Sequence, residues 1–186
     1  MLEPWKLQLC DIQGRLFENS AKAGYSSKQF IKKFMTSSLA KDLDSSYNRM
    51  QWAGEEYLLE EFADRCPDTP KEGEPYNNEV LYWAGYLYRY WHFVTGESSK
   101  DIYKQAPAET MNTNYLIFHS MSAELAIEDL KEIYKQKSKK KRQTSKRRNI
   151  MYPTDLCWET GNYTDDCCCD FCEHREECSG YDDDND

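Results

Sequence analysis

The chain is short of the residues from which phosphate loops and imidazole chemistry are built. Of 186 residues only eight are glycine and three histidine, His92, His119 and His174. Neither GxGxxG nor GxxxxGK occurs, so no glycine-rich loop is present to cradle a phosphate. His119 stands beside Ser120, but neighbouring residues of a helix do not face each other, which rules out a nucleophile–base pair there. The sequence therefore offers no catalytic residues. It also lacks any run of about 18 apolar residues, the least that crosses a bilayer as a helix. The opening MLEPWKLQLCDIQGR carries Glu3, Asp11 and Arg15 too close together for the apolar core of a signal peptide, so a cytoplasmic protein is expected. The alternating pattern of a half-buried strand is missing as well.

What the chain does have is enough apolar mass for a core, 39% hydrophobic and 14% aromatic. Its charge is laid out in three blocks. Residues 1–134 carry 14 Lys/Arg against 21 Asp/Glu. Residues 135–148 (KQKSKKKRQTSKRR) carry nine basic residues and no acid, and residues 149–186 set Arg175 alone against 12 acids. A second break falls at RCPDTPKEGEPYNN, where Pro67, Pro70, Gly73 and Pro75 interrupt regular structure. These breaks divide the chain into a helical unit at 1–64, a Pro/Gly linker at 65–78, a second helical unit at 79–137, a basic linker or helix extension at 138–150, and a Cys-rich acidic tail at 151–186.

Apolar spacing predicts helices near 5–20, 27–35, 37–48 and 54–64, and again near 79–94, 99–106, 108–120 and 122–137. The halves resemble each other: GYSSKQFIKKF begins at Gly24 and GESSKDIYKQA at Gly96, an offset of 72 residues. Ser26 with Gln29, and Ser98 with Asp101, have capping-box spacing, and each preceding glycine suits the left-handed turn that ends a helix. The expected fold is all-α, two related helical units packed into one body, followed by the basic strip and a small metal-binding tail. The segment EVLYWAGYLYRYWHFV is apolar nearly all round, so it must be covered on every side. That predicts a central core helix, with the alternative that one aromatic side, including Tyr88 and Trp91, meets a partner.

Three stretches carry a family resemblance: the helix start at Gly96, Ser98, Ser99 and Lys100; then Tyr115-Leu-Ile-Phe-His119-Ser120; then Ile127-Glu128-Asp129-Leu130. On these, residues of about 79–134 resemble a family of small all-helical bacterial proteins of unknown function, often encoded beside ADP-ribosyltransferase-like toxin candidates in gut Firmicutes. The N-terminal unit matches less, with Tyr47 where His119 would stand. The resemblance implies an antitoxin-like or accessory role in a bacterial or phage toxin or defence system, acting through a protein partner, and brings no catalytic residues. Tyr88, Trp91, His92, Tyr115 and His119 are the expected partner-binding face.

Two features lie outside that resemblance. In DCCCDFCEHREECSGY, Cys169-x2-Cys172 lets two thiolates grip one metal, and Cys178 closes the loop. Cys157 completes a structural zinc set, with Cys167, Cys168 and His174 as other fourth ligands; an iron–sulfur cluster is the alternative occupant. The basic strip gives a second functional reading, a nucleic-acid-binding regulator. There Lys139, Lys140, Lys141, Arg142, Lys146, Arg147 and Arg148 would hold phosphates, and Tyr152, Trp158 and Tyr163 could stack on bases. The acidic tail is the competing counter-charge for the same strip.

Overall fold

The computed structural model describes residues 2–148 apart from Glu72, with side chains described as far as Lys139. Among the described residues there are eight α-helices and no strand: α1 Pro4–Lys22, α2 Ser27–Thr36, α3 Ser38–Asp44, α4 Glu55–Arg65, α5 Asn78–Thr95, α6 Ser99–Gln105, α7 Ala108–Phe118 and α8 Ala123–Arg148. A single 3-10 turn, Arg49–Trp52, separates α3 from α4. No described helix is long and apolar enough to cross a membrane. Residues Met1–Lys137 form one compact unit.

The spine of that unit is the pair α1 and α5. Their backbones touch at two glycines. A Cβ on Gly85 would stand 2.5 Å from the Gln13 carbonyl oxygen and 2.9 Å from Gly14 Cα, and a Cβ on Gly14 would stand 2.8 Å from the Tyr82 ring. Only hydrogen fits at such a crossing, so glycine's weak helix propensity is tolerated there for the sake of close packing. Around α5 the cover is complete on the inner side: Leu81, Ala84, Leu87, Tyr88, Arg89 and Trp91 are all buried. The central-core reading of this helix therefore holds for Tyr88 and Trp91.

α1, α2 and α4 close over a cluster of phenylalanines. Phe17 meets Phe30 and Phe34 edge-on at 5.5 Å and 5.3 Å, and Phe30 meets Phe62 at 4.7 Å. Edge-to-face geometry of this kind adds to the area these rings bury. The Pro-rich stretch after α4 is packed rather than free. Pro70 accepts from the Ser26 N–H at 3.2 Å, the Tyr76 N–H donates to Ser27 Oγ at 2.9 Å, and Thr69 is buried.

The two similar turns differ in detail. Gly24 and Gly96 both take positive φ, 82° and 71°. At the second, Ser98 Oγ accepts from the Asp101 N–H at 3.2 Å and donates to the Asp101 carboxylate at 2.7 Å. At the first, Ser26 makes no side-chain cap bond. Gly73 lies against the Ser26 hydroxyl, so closely that a Cβ there would stand 2.5 Å from it.

Two boundaries depart from the spacing. α3 stops at Asp44 rather than running to 48: Ser45 is already extended, with ψ 140°, Tyr47 follows with φ 64°, and Asn48 caps the 3-10 turn through the Met50 N–H. α8 runs on to Arg148 instead of ending at 137. Lys, Arg and Gln are good helix formers, and no glycine or proline interrupts them.

Candidate functional site

Arg89 is the one charged side chain within the apolar run of α5, and it is fully buried. A buried guanidinium is tolerable only when its donors are met. They are: Nε donates to Gln13 Oε1 at 2.9 Å, Nη1 to Asp44 Oδ1 at 2.7 Å, and Nη2 reaches Ser99 Oγ at 3.5 Å. Gln13 passes its own amide to the Gly85 carbonyl at 3.0 Å. The Asp44 carboxylate is saturated in turn, by the Ser99 N–H at 2.8 Å and the Ser99 hydroxyl at 2.7 Å. One network thus ties α1, α3, α5 and the start of α6 together.

Through Asp44 this network borders a cleft of about 690 Å³. Its walls come from three chain ends: the first turn of α1 (Glu3, Trp5, Lys6), the turn after α3 (Tyr47, Trp52) and the end of α5 (His92, Phe93). His92 Nδ1 lies 2.8 Å from the Glu97 carbonyl, which can only accept, so that nitrogen carries the proton. Burial holds the His92 pKa below its ordinary 6.5, and the Arg89 charge adds to the effect. Trp5 meets Phe93 edge-on at 5.7 Å and stacks beside Trp52 at 6.5 Å.

A second feature lies at the corner between α7 and α8. Leu116 is 79% exposed, Ile117 63%, Leu125 54% and Met121 41%. On the same stretch the His119 ring stacks on Tyr115 at 4.6 Å, and Tyr115 meets Trp83 edge-on at 5.6 Å. Tyr115 donates to Glu79 at 3.3 Å, and His119 Nδ1 lies 2.8 Å from the Tyr115 carbonyl.

The residues expected to form a single partner face do not assemble as one. Tyr88 and Trp91 are wholly buried and present no surface; Tyr88 donates its hydroxyl to the Ala106 carbonyl at 2.5 Å. They are core residues because α5 is covered on that side by the helices around it. His92 belongs to the cleft, and only Tyr115 and His119 stand together, beside the α7–α8 corner. Sequence reasoning passed over Asp44, Trp5 and Trp52, and also Leu116, Ile117, Met121 and Leu125. Arg89, a lone charge on an apolar helix, signalled that a counter-charge such as Asp44 must exist, and nothing in the sequence singled out the others.

Lys139 is exposed at the end of the described side chains. The side chains of Lys140, Lys141, Arg142, Lys146, Arg147 and Arg148 lie outside the described residues, as do Cys157, Cys169, Cys172, Cys178 and the other tail ligands. Among the described residues no group of three or more His, Cys, Asp or Glu is placed to hold a metal. Cys10 and Cys66 are free thiols, and burial pushes Cys10 up to about 12. Comparison with protein-family models, curated proteins and solved structures finds no match.

Proposed function

We propose that the chain is a non-enzymatic protein-interaction module that docks its partner on the α7–α8 corner. The observation that carries this reading is the exposure of four large apolar side chains, Leu116, Ile117, Met121 and Leu125, within ten residues of sequence. Exposed apolar residues gathered at one place are what a docking surface offers, whereas scattered ones carry no message. Glu124, Glu128 and Asp129 are exposed on the opening turns of α8, so the surface suits a partner with an apolar centre and a basic rim. The residues that carry the family resemblance, 115–120 and 127–130, bracket this corner. The resemblance gives the partner class: a toxin of the ADP-ribosyltransferase-like kind, held in an antitoxin-like or accessory complex. The test is a tagged pull-down from the host organism, with and without nuclease. One stoichiometric protein that survives nuclease, and is lost with Leu116→Glu/Ile117→Glu, supports the module.

The continuation of α8 to Arg148 favours a second reading, because it strings the basic strip along a helix. Under it, replacing Lys139, Lys140, Lys141, Arg142, Lys146, Arg147 and Arg148 with Gln abolishes capture of RNA or DNA. In single replacements the salt dependence of binding becomes shallower by about one unit of slope for each phosphate no longer neutralised. In either reading we assign Cys157, Cys169, Cys172 and Cys178 to a structural zinc ion.

A further inference from the structure

The cleft at the joint ends of α1, α3 and α5 is independent of the α7–α8 corner and is built differently. The large apolar side chains that line it, Trp5, Trp52, Phe93 and Tyr47, are aromatic rather than aliphatic. Those faces already hold an ammonium group: Lys6 Nζ lies 5.4 Å from the Trp5 ring centre and 5.9 Å from that of Phe93, both within the range of a cation–π contact. The same ammonium pairs with Glu3 at 3.0 Å. Two rings keep most of their surface in solvent, Trp52 although it stacks beside Trp5. Trp52 is 77% exposed and Tyr47 99% exposed, although both line the cavity. Tyr47 also keeps φ 64°, a conformation that costs a bulky residue energy and that glycine adopts freely. A ring held in a strained turn, fully in solvent and outside the core, contributes nothing to packing. Glu3, which accepts from Trp5 Nε1 at 3.2 Å, sets a carboxylate in the wall of the cleft. Arg89, which pairs with Asp44 of the lining, directs its donors to Gln13, Asp44 and Ser99 and offers none to an anion.

We propose that this cleft binds a quaternary or methylated ammonium group, which takes the aromatic place now held by Lys6. The same chemistry occurs in free choline-like amines and in methylated lysine of a peptide. The experiment is isothermal titration calorimetry of the full chain with choline, with trimethyllysine blocked at both ends, and with dimethylbutanol, the uncharged carbon isostere of choline. Saturable binding of either cation, with none of the isostere, is expected, and the tighter of the two cations names the source. Lys6→Gln should tighten binding about three-fold by removing the competing charge, and Trp52→Ala should weaken it about ten-fold. Tyr47→Gly should also weaken binding about ten-fold while leaving the melting temperature equal or higher, since it relieves the turn. That combination separates a ligand-facing ring from a structural one. Absence of saturable binding in both the wild type and Lys6→Gln, or equal binding of the isostere, overturns the proposal.

Discussion

Arg89 shows how a single residue shapes this fold. Burial works against its charge, and the Asp44 carboxylate works for it. Removing Asp44 alone leaves the guanidinium in the core with its main counter-charge gone. Asp44→Ala is therefore expected to cost about 3–5 kcal/mol of stability in urea unfolding. Adding Arg89→Met to that variant should recover a large part of the loss, because the destabilising species is the orphaned charge rather than the missing bond. A double variant no more stable than the single one would show that the pair contributes its full bond energy. His92 beside it gives a pH test. Its folded-state pKa lies below the ordinary 6.5, so the unfolded chain binds more protons as the pH falls through that value. Stability is fully present above 6.5 and declines below it. His92→Gln should flatten the urea midpoint between about pH 7 and 5. Glu97 acts only lower. Burial alone would raise its pKa, but Lys131 and Gln105 hold it below its ordinary 4.5, and its stabilisation is lost as that carboxylate is protonated.

At the scale of the helix, the α1–α5 crossing and the α5–α6 turn make glycine necessary for different reasons. Gly85→Ala drives a Cβ into the Gln13 carbonyl, backbone that cannot swing aside, and α1 must move off α5. The expected loss is about 1–3 kcal/mol. Gly96→Ala meets nothing within 4 Å, and only its φ of 71° resists, for about 1 kcal/mol. Gly54→Ala has neither constraint and should cost only what a poorer N-cap of α4 costs, about 0.5–1 kcal/mol. If Gly85→Ala melts like Gly54→Ala, the helices are less tightly joined than the distances imply. These elements were largely readable beforehand, since apolar spacing, Ser98 and Gly96 place α5 and α6 to within a residue of their observed ends. The stop of α3 was not, because Ser45, Ser46 and Asn48 permit a helix end without requiring one, and the turn at Tyr47 depends on its tertiary setting. The exposure of Leu116 and Ile117 was hidden for a related reason. Tyr115–Phe118 is apolar without a break, more than one helix face holds, and only the packing decides that Phe118 goes inside. Asp44 was invisible as a partner for Arg89, being 45 residues away along the chain.

Across the whole molecule, the cysteines divide with the chain. The compact unit Met1–Lys137 contains only Cys10, buried, and Cys66, half-buried; the other six follow it. Its stability rests on the phenylalanine cluster, the α1–α5 crossing and the Arg89 network, none of which uses a thiolate as ligand. If Cys157, Cys169, Cys172 and Cys178 hold zinc, the metal is expected to contribute folding energy to the segment its ligands organise rather than to the helices. Treatment with a strong chelator should release one equivalent of zinc per chain, read with a colorimetric zinc indicator. It should also expose the tail thiols to a thiol reagent while helical ellipticity at 222 nm and the melting temperature hold. Cys10 should stay unreactive throughout, since burial both shields it and keeps the thiol protonated. Loss of ellipticity on chelation would mean that the tail is part of the fold of the body. Release of no zinc would instead leave those four cysteines as thiols and remove the metal from the tail.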